Sequence, residues 1–154
     1  MTTHYKKSRI LGLAFLIQFV TSFSAGVFIL PRATGVKAFG EPLEIGQIMA
    51  NLAKNVSFAR LNIFIELITA AGVIFLGAML YLAVKKQNEG LALTAFGLYV
   101  VEGVLIAATK LALYALMVLS QEYLAAGSPA SMEPLASRVY KVMEFLPKLN
   151  SVVY

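Results

Sequence analysis

The sequence predicts an all-α membrane protein: a bundle of three transmembrane helices with amphipathic surface helices after the first and third spans. Three long apolar stretches make up nearly half of the 154 residues, and together they hold only three formal charges. Each stretch exceeds the ~20 residues that an α-helix needs to cross a hydrocarbon core of ~30 Å. Only short polar connections separate them, so we expect one integral membrane domain over residues 1–154.

Composition supports a membrane protein. With 59% hydrophobic and 14% charged residues, a soluble monomer would have more apolar surface than it could bury, so we expect membrane lipid to cover the remainder. The 13 Lys and Arg residues outnumber the 8 Glu residues and lie mainly at segment ends. This pattern is typical of anchoring at a membrane surface, not of nucleic-acid binding.

The first span is predicted at about residues 10–30. A signal peptide would have the same start, a basic segment before an apolar one, but here the apolar run continues through Ala25 to Leu30, which is longer than a signal core. We therefore expect this segment to be retained as a membrane span.

An amphipathic helix is predicted after the first span, at about residues 42–57. Pro42 suits the first position of a helix. Apolar residues then recur with helical spacing at Ile45, Ile48, Met49, Leu52 and Val56. We expect this helix to lie on the membrane surface, with a plain connecting loop as the alternative.

The second and third spans are predicted at about residues 61–84 and 91–119, with a tight polar connection between them. Placing the N-terminus and this connection in the cytoplasm gathers five basic residues on that side: Lys6, Lys7, Arg9, Lys85 and Lys86. We expect a multi-pass protein of the cell membrane with a cytoplasmic N-terminus.

A second amphipathic segment is predicted at about residues 132–146, after a break at residues 127–129. It carries Arg138, Lys141 and Glu144, so it is too short and too charged to span the membrane. We expect a surface helix there, or a poorly ordered tail.

Polar and small residues follow one face of each span, which predicts a shared polar interior. On the first span this face holds Gln18, Thr21 and Ser22. On the second it holds Asn62, Glu66 and Thr69, and on the third Tyr99, Glu102, Gly103, Ala107 and Lys110.

Depth along the helices separates the three intramembrane charges. At ~1.5 Å per residue, Glu66 lies about 27 Å from Val84, and Lys110 lies about 28 Å from Leu91, at the same end of the two helices. We therefore predict an ion pair between Glu66 and Lys110, because pairing lowers the cost of burying either charge alone.

Glu102 is only about 16 Å from Leu91, near the midplane, with no basic residue at its depth. Such a carboxyl should take up a proton or line a wet cavity. Gly103 and Ala107 are small residues one turn apart, and Tyr99 occupies the preceding turn. We predict that Glu102 lies at a helix contact that these residues form.

Five segments carry a resemblance to a known family: residues 65–68 (IELI), 80–86 (LYLAVKK), 88–93 (NEGLAL), 100–104 (VVEGV) and 119–123 (LSQEY). Over about residues 9–127 the chain resembles domain-of-unknown-function family 4386, which comprises bacterial multi-pass membrane proteins without an established activity. Glu66 and Glu102 match positions at which members of that family also tend to carry Glu. Tyr99 stands where members often have Arg, and the chain ends where relatives continue with further spans.

We expect no enzymatic activity, because His4 is the single histidine, Cys and Asp are absent, and no residues suggest a catalytic, metal or cofactor site. We expect a helical bundle that forms a homo-oligomer or packs with a larger membrane-protein partner. The alternative is a component of a proton or small-solute pathway that uses Glu66, Glu102 and Lys110.

Overall fold

The computed structural model describes residues 2–36 and 43–153, and these residues form an all-α structure, which confirms the predicted fold class. Its helices are α1 (Thr2–Ser24), α2 (Leu30–Thr34), α3 (Ile45–Lys54), α4 (Val56–Val84), α5 (Glu89–Ala125) and α6 (Glu133–Val153). A π-helical turn (Ala25–Ile29) joins α1 to α2, and a 3₁₀ turn (Ala130–Met132) precedes α6. Three helical segments are long and apolar enough to cross a membrane: Leu11–Thr34, Val56–Val84 and Glu89–Ala125.

The first span continues through the π-helical turn into α2, so it extends four residues beyond the predicted end. Pro31 has no N–H to donate to the preceding turn, and the chain accommodates this in the wider π register, in which the Leu30 N–H bonds to the Ala25 carbonyl. The span ends at Gly35, whose φ of +80° favours glycine. A Cβ at Gly35 would also collide with the Asn51 side chain.

α5 is the longest helix, with 37 residues. It begins at the Asn88 cap, whose side chain accepts the Leu91 N–H at 3.0 Å. At ~1.5 Å per residue it is about 55 Å long, which exceeds the ~30 Å hydrocarbon core. We call the end of the molecule opposite the turn at residues 85–88 the far end, and we expect the excess length of α5 to extend beyond the membrane there.

Within the membrane, α4 lies between α1 and α5 and packs against both. Small residues set the close approach of α4 and α5. A Cβ on Gly103 would lie 2.7 Å from Ile74 Cγ1 and 2.9 Å from the Ala70 carbonyl oxygen. A Cβ on Gly77 would lie 2.5 Å from Tyr99 Cβ. This tight crossing is the geometry that glycine and alanine permit in membrane helices.

The main hydrophobic core lies at the far end, where α2, α3, α6 and the ends of α4 and α5 meet. α3 covers residues 45–54 of the predicted segment 42–57, and Pro42 lies outside the described residues. Its apolar face, Ile48, Met49 and Leu52, is buried by protein and not by lipid. The reason is the length of α5, whose C-terminal part presents Leu113, Leu116 and Met117 to the same core.

α6 is longer than the predicted 132–146, and it runs antiparallel to α5. The two helices are fastened where Tyr123 Oη donates to Glu133 Oε1 at 3.1 Å, with Gly46 of α3 packed against both side chains. From there α6 returns along α5 and buries Ala136 and Met143. Its opposite face leaves large apolar side chains exposed: Leu135, Val142 and Phe145.

Candidate functional site

Four groups form one polar cluster that joins all three spans, here called the Lys110 cluster. Lys110 Nζ on α5 donates to Asn62 Oδ1 on α4 at 3.2 Å and lies 3.9 Å from Glu66 Oε1. Asn62 Nδ2 in turn donates to the Ala25 carbonyl of the first span at 2.8 Å. The sequence-predicted pair of Glu66 and Lys110 is thus part of a larger hydrogen-bonded unit.

Helical spacing explains how the cluster is positioned. Asn62 and Glu66 are four residues apart on α4, so both side chains point to the same side, where Lys110 approaches. Ala25 is fully buried at the start of the π-helical turn. Its carbonyl accepts both the Leu30 N–H and the Asn62 amide, which uses both of its lone pairs.

The cluster is buried, since Asn62, Glu66 and Lys110 are 0%, 8% and 7% exposed. At 3.9 Å the two charges attract without forming a short hydrogen bond, and the shorter bond to Lys110 comes from the Asn62 amide. In a medium of low dielectric constant, leaving either charge alone would cost several kcal/mol. The arrangement therefore favours a fixed contact between the spans.

Lys110 also lines a cavity of about 310 Å³ between the first span, α5 and α6, here called the Lys110 cavity. Glu144 and Tyr140 of α6 also line it, together with apolar side chains such as Leu30 of the first span and Met143 of α6. Burial and the hydrogen-bonded Glu144 carboxylate raise the pKa of Tyr140 to about 12. The Tyr140 hydroxyl therefore remains the hydrogen-bond donor to Glu144 even well above neutral pH.

The structure places the Glu102 group apart from the Lys110 cluster. Glu102 and Ala107 are half-buried, while Gly103 is buried at the contact with α4. Tyr99 packs on Gly77 and lies close enough to Glu102 for an electrostatic interaction between the two side chains. Glu102 precedes Lys110 by eight residues, or about 12 Å along α5, so the two form separate polar sites.

The polar residues of the first span divide between two faces. Gln18 is half-buried, with its Oε1 2.8 Å from where a Cβ of Gly72 on α4 would lie. Thr21 is half-buried and donates to carbonyls of its own helix, those of Ile17 and Gln18. The placement of Ser22 in the interior was wrong: it is exposed, because one further residue turns a helix by ~100°.

Sequence reasoning put Asn62 on the polar face but missed its bridging role. The four-residue spacing of Asn62 and Glu66 was the available signal for a shared partner on α5. Nothing in the spacing indicated the Ala25 carbonyl, although Pro31 marked an irregular turn nearby. The Lys110 cavity was also missed, since its third wall depends on how far α6 folds back along α5.

The family comparison covers nearly the whole chain, including the first span, α4, α5 and most of α6. The model described as "Domain of unknown function (DUF4386)" matches residues 10–149. No curated protein and no solved structure matches the chain. Three apolar spans and a match over residues 10–149 lead to one conclusion: the chain belongs to the DUF4386 family.

Proposed function

We propose that this protein is a non-enzymatic helical bundle of the cell membrane that self-associates or packs with a larger membrane-protein partner, with its N-terminus in the cytoplasm. The observation that carries the proposal is the internal pairing of the Lys110 cluster. Lys110 donates to Asn62 and pairs with Glu66, and Asn62 donates to the first span. Buried groups satisfied in this way act as contacts between helices.

A face of α5 supports association with another helix. Thr94, Gly97, Val101 and Val104 recur at helical spacing and are all exposed. A Cβ on Gly97 would meet no atom within 4 Å, so the backbone there is open to close approach. Small residues at such a position let a second helix pack tightly in lipid.

The test of self-association is the stoichiometry of the protein in nanodiscs, measured by single-molecule photobleaching of a fluorescently labelled chain. We expect more than one copy per disc, and Gly97→Leu should shift the distribution toward single copies. Gly12→Leu is the matched control, because Gly12 of α1 also has no atom within 4 Å of its Cβ position. Single copies in the unaltered protein, with no protein copurifying in mild detergent, would contradict the proposal.

The alternative is a proton or small-solute pathway through Glu66, Glu102 and Lys110. A pathway needs a polar route between Glu102 and the Lys110 cluster. Gly103, which follows Glu102, packs directly against Ala70 and Ile74 of α4, and this close contact favours the structural role. We therefore expect Glu102→Gln to fold and assemble normally.

Reconstituted vesicles distinguish the two functions. The purified protein and Glu102→Gln are compared for pH-driven proton flux. Flux that Glu102→Gln abolishes would replace the structural proposal by the pathway. Absence of flux from both proteins would support the structural role of Glu102.

A further inference from the structure

The wall of the Lys110 cavity carries one positive and one negative side chain. Lys110 lies on α5, and Glu144 lies across the cavity on α6. The rest of the wall is largely apolar, with Gly26, Leu30 and Pro31 from the first span and Met143 and Pro147 from α6. A ligand with a single charge would meet a like charge in this wall, whereas a zwitterion can pair with both.

Backbone acceptors add to the Glu144 side of the cavity. Pro147 lies inside α6 and has no N–H, so the Met143 carbonyl, four residues earlier, lacks its helical donor. Met143 and Pro147 both line the cavity. A carbonyl and a carboxylate in one wall suit a group with several N–H donors, such as a primary ammonium.

Depth points to a lipid headgroup as the source of the zwitterion. Lys110 lies about 28 Å along α5 from Leu91, close to the full thickness of a ~30 Å hydrocarbon core. The cavity therefore lies at the membrane edge, where phosphates and ammonium groups of phospholipids are found. Leu30 and Met143 give the cavity apolar surface beside its two charged side chains, as the glycerol part of a lipid would require.

We propose that the Lys110 cavity binds a phosphoethanolamine group, supplied by a phosphatidylethanolamine lipid of the leaflet at the far end. The phosphate pairs with Lys110, which keeps its bond to Asn62 and its ion pair with Glu66. The primary ammonium donates to Glu144 and to the Met143 carbonyl. The site is independent of self-association, because its walls come from a single chain.

The lipid preference is measured by native mass spectrometry of the purified protein, titrated in detergent with three phospholipids of equal chain length. Phosphatidylethanolamine should bind about tenfold more tightly than phosphatidylglycerol, which lacks the ammonium, and than phosphatidylcholine, whose quaternary ammonium has no N–H to donate. Equal affinity for the three lipids would overturn the proposal. Free phosphoethanolamine is the fourth probe: competition at concentrations similar to those of the lipid would assign the site to a soluble zwitterion and overturn the lipid source.

Two variants test the location of the site. A Cβ on Gly26 would meet no atom within 4 Å, so Gly26→Leu should fold and fill the cavity, and Gly12→Leu is its matched control on the same span. Glu144→Gln should lose most of the preference over phosphatidylglycerol, because it removes the charge that attracts the ammonium, whereas Glu122→Gln, on an exposed residue of α5 outside the cavity wall, should keep it. Unchanged preference in both Gly26→Leu and Glu144→Gln would show that the lipid binds elsewhere and would overturn the proposal.

Discussion

At the scale of single residues, Asn62 holds the Lys110 cluster together because its amide bonds to two other elements at once. Its Oδ1 accepts from Lys110, and its Nδ2 donates to Ala25. Glu66 then needs only to balance the charge of Lys110, from a distance of 3.9 Å. An amide can be buried in this position with a smaller desolvation penalty than a second carboxylate, because it carries no net charge.

The charge balance predicts non-additive mutants. Glu66→Gln or Lys110→Met should each destabilise the protein by about 3 kcal/mol, since each leaves one buried charge unpaired. The double variant should lose clearly less than the sum, because neither charge is then left alone. The measurement is reversible unfolding in mixed micelles. Thr69→Val is the control: Thr69 is buried, but its hydroxyl bonds to Ile65 of its own helix. Strictly additive losses would mean that the two charges do not interact.

At the scale of helices, two glycines of α5 provide a direct test of the close contact with α4. Gly103→Ala should destabilise the protein by about 1–3 kcal/mol, because its new methyl group would press on the Ala70 carbonyl, a backbone atom that cannot rotate away. Gly97→Ala has open space and should be neutral or stabilising by up to about 1 kcal/mol, from helix propensity alone. Thermal unfolding in detergent compares the two. Similar shifts in melting temperature for the two variants would contradict the close contact between Gly103 and α4.

α6 has two apolar faces, and only one is covered by protein. Leu135, Val142 and Phe145 are 54%, 52% and 57% exposed, with Arg138 and Lys141 on neighbouring positions. Basic side chains next to an apolar face are typical of a helix at the membrane interface. We expect this outer face of α6 to contact lipid.

The chain has no tryptophan, so Phe145→Trp introduces a single fluorophore on this outer face. Its emission should be blue-shifted and quenched by lipids brominated near the headgroup. Phe75→Trp, at an exposed position in the middle of α4, serves as the reference and should be quenched best by lipids brominated deep in the acyl chain. Emission typical of water, without quenching by either lipid, would place the outer face of α6 away from the membrane.

The sequence was sufficient for the three spans and for the Glu66–Lys110 geometry, because both follow from hydrophobic length and from the fixed rise of a helix. It was not sufficient for contacts that depend on tertiary packing. Ile48, Met49 and Leu52 have the spacing of a membrane-surface helix, and the same spacing serves a protein core equally well. The π-helical turn and the cavity depend on how backbones meet around Ala25, Pro31 and Pro147, which periodicity does not encode.

At the scale of the whole molecule, α4 is the central element, and the far end carries the only large core among the described residues. Towards the turn at residues 85–88, α1 packs on one side of α4 and α5 on the other. The far end therefore fixes the relative positions of the spans, and the opposite half depends on lipid and on the close contacts of small residues.

The orientation of the whole molecule can be read with single cysteines, since the chain has none. Gln87→Cys should be protected from an impermeant thiol reagent in intact cells, whereas Lys54→Cys and Ser131→Cys should be labelled. All three positions are exposed, so a difference in labelling reports the side of the membrane. Labelling of Gln87→Cys with protection of the other two would reverse the proposed orientation.

The bond from Asn62 to Ala25 also sets an order of events during synthesis. The first span precedes α4 in the chain, so the Ala25 carbonyl gains the hydrogen bond from Asn62 only when α4 packs against the first span. Lys110 follows Asn62 by a further 48 residues, and during this interval Glu66 has no counter-charge from this chain. Asn62 can therefore bond to the first span before α5 is present, and α5 completes the Lys110 cluster. A mutation that delays the insertion of α5 would act as an assembly defect of the first span, at a distance in both sequence and time.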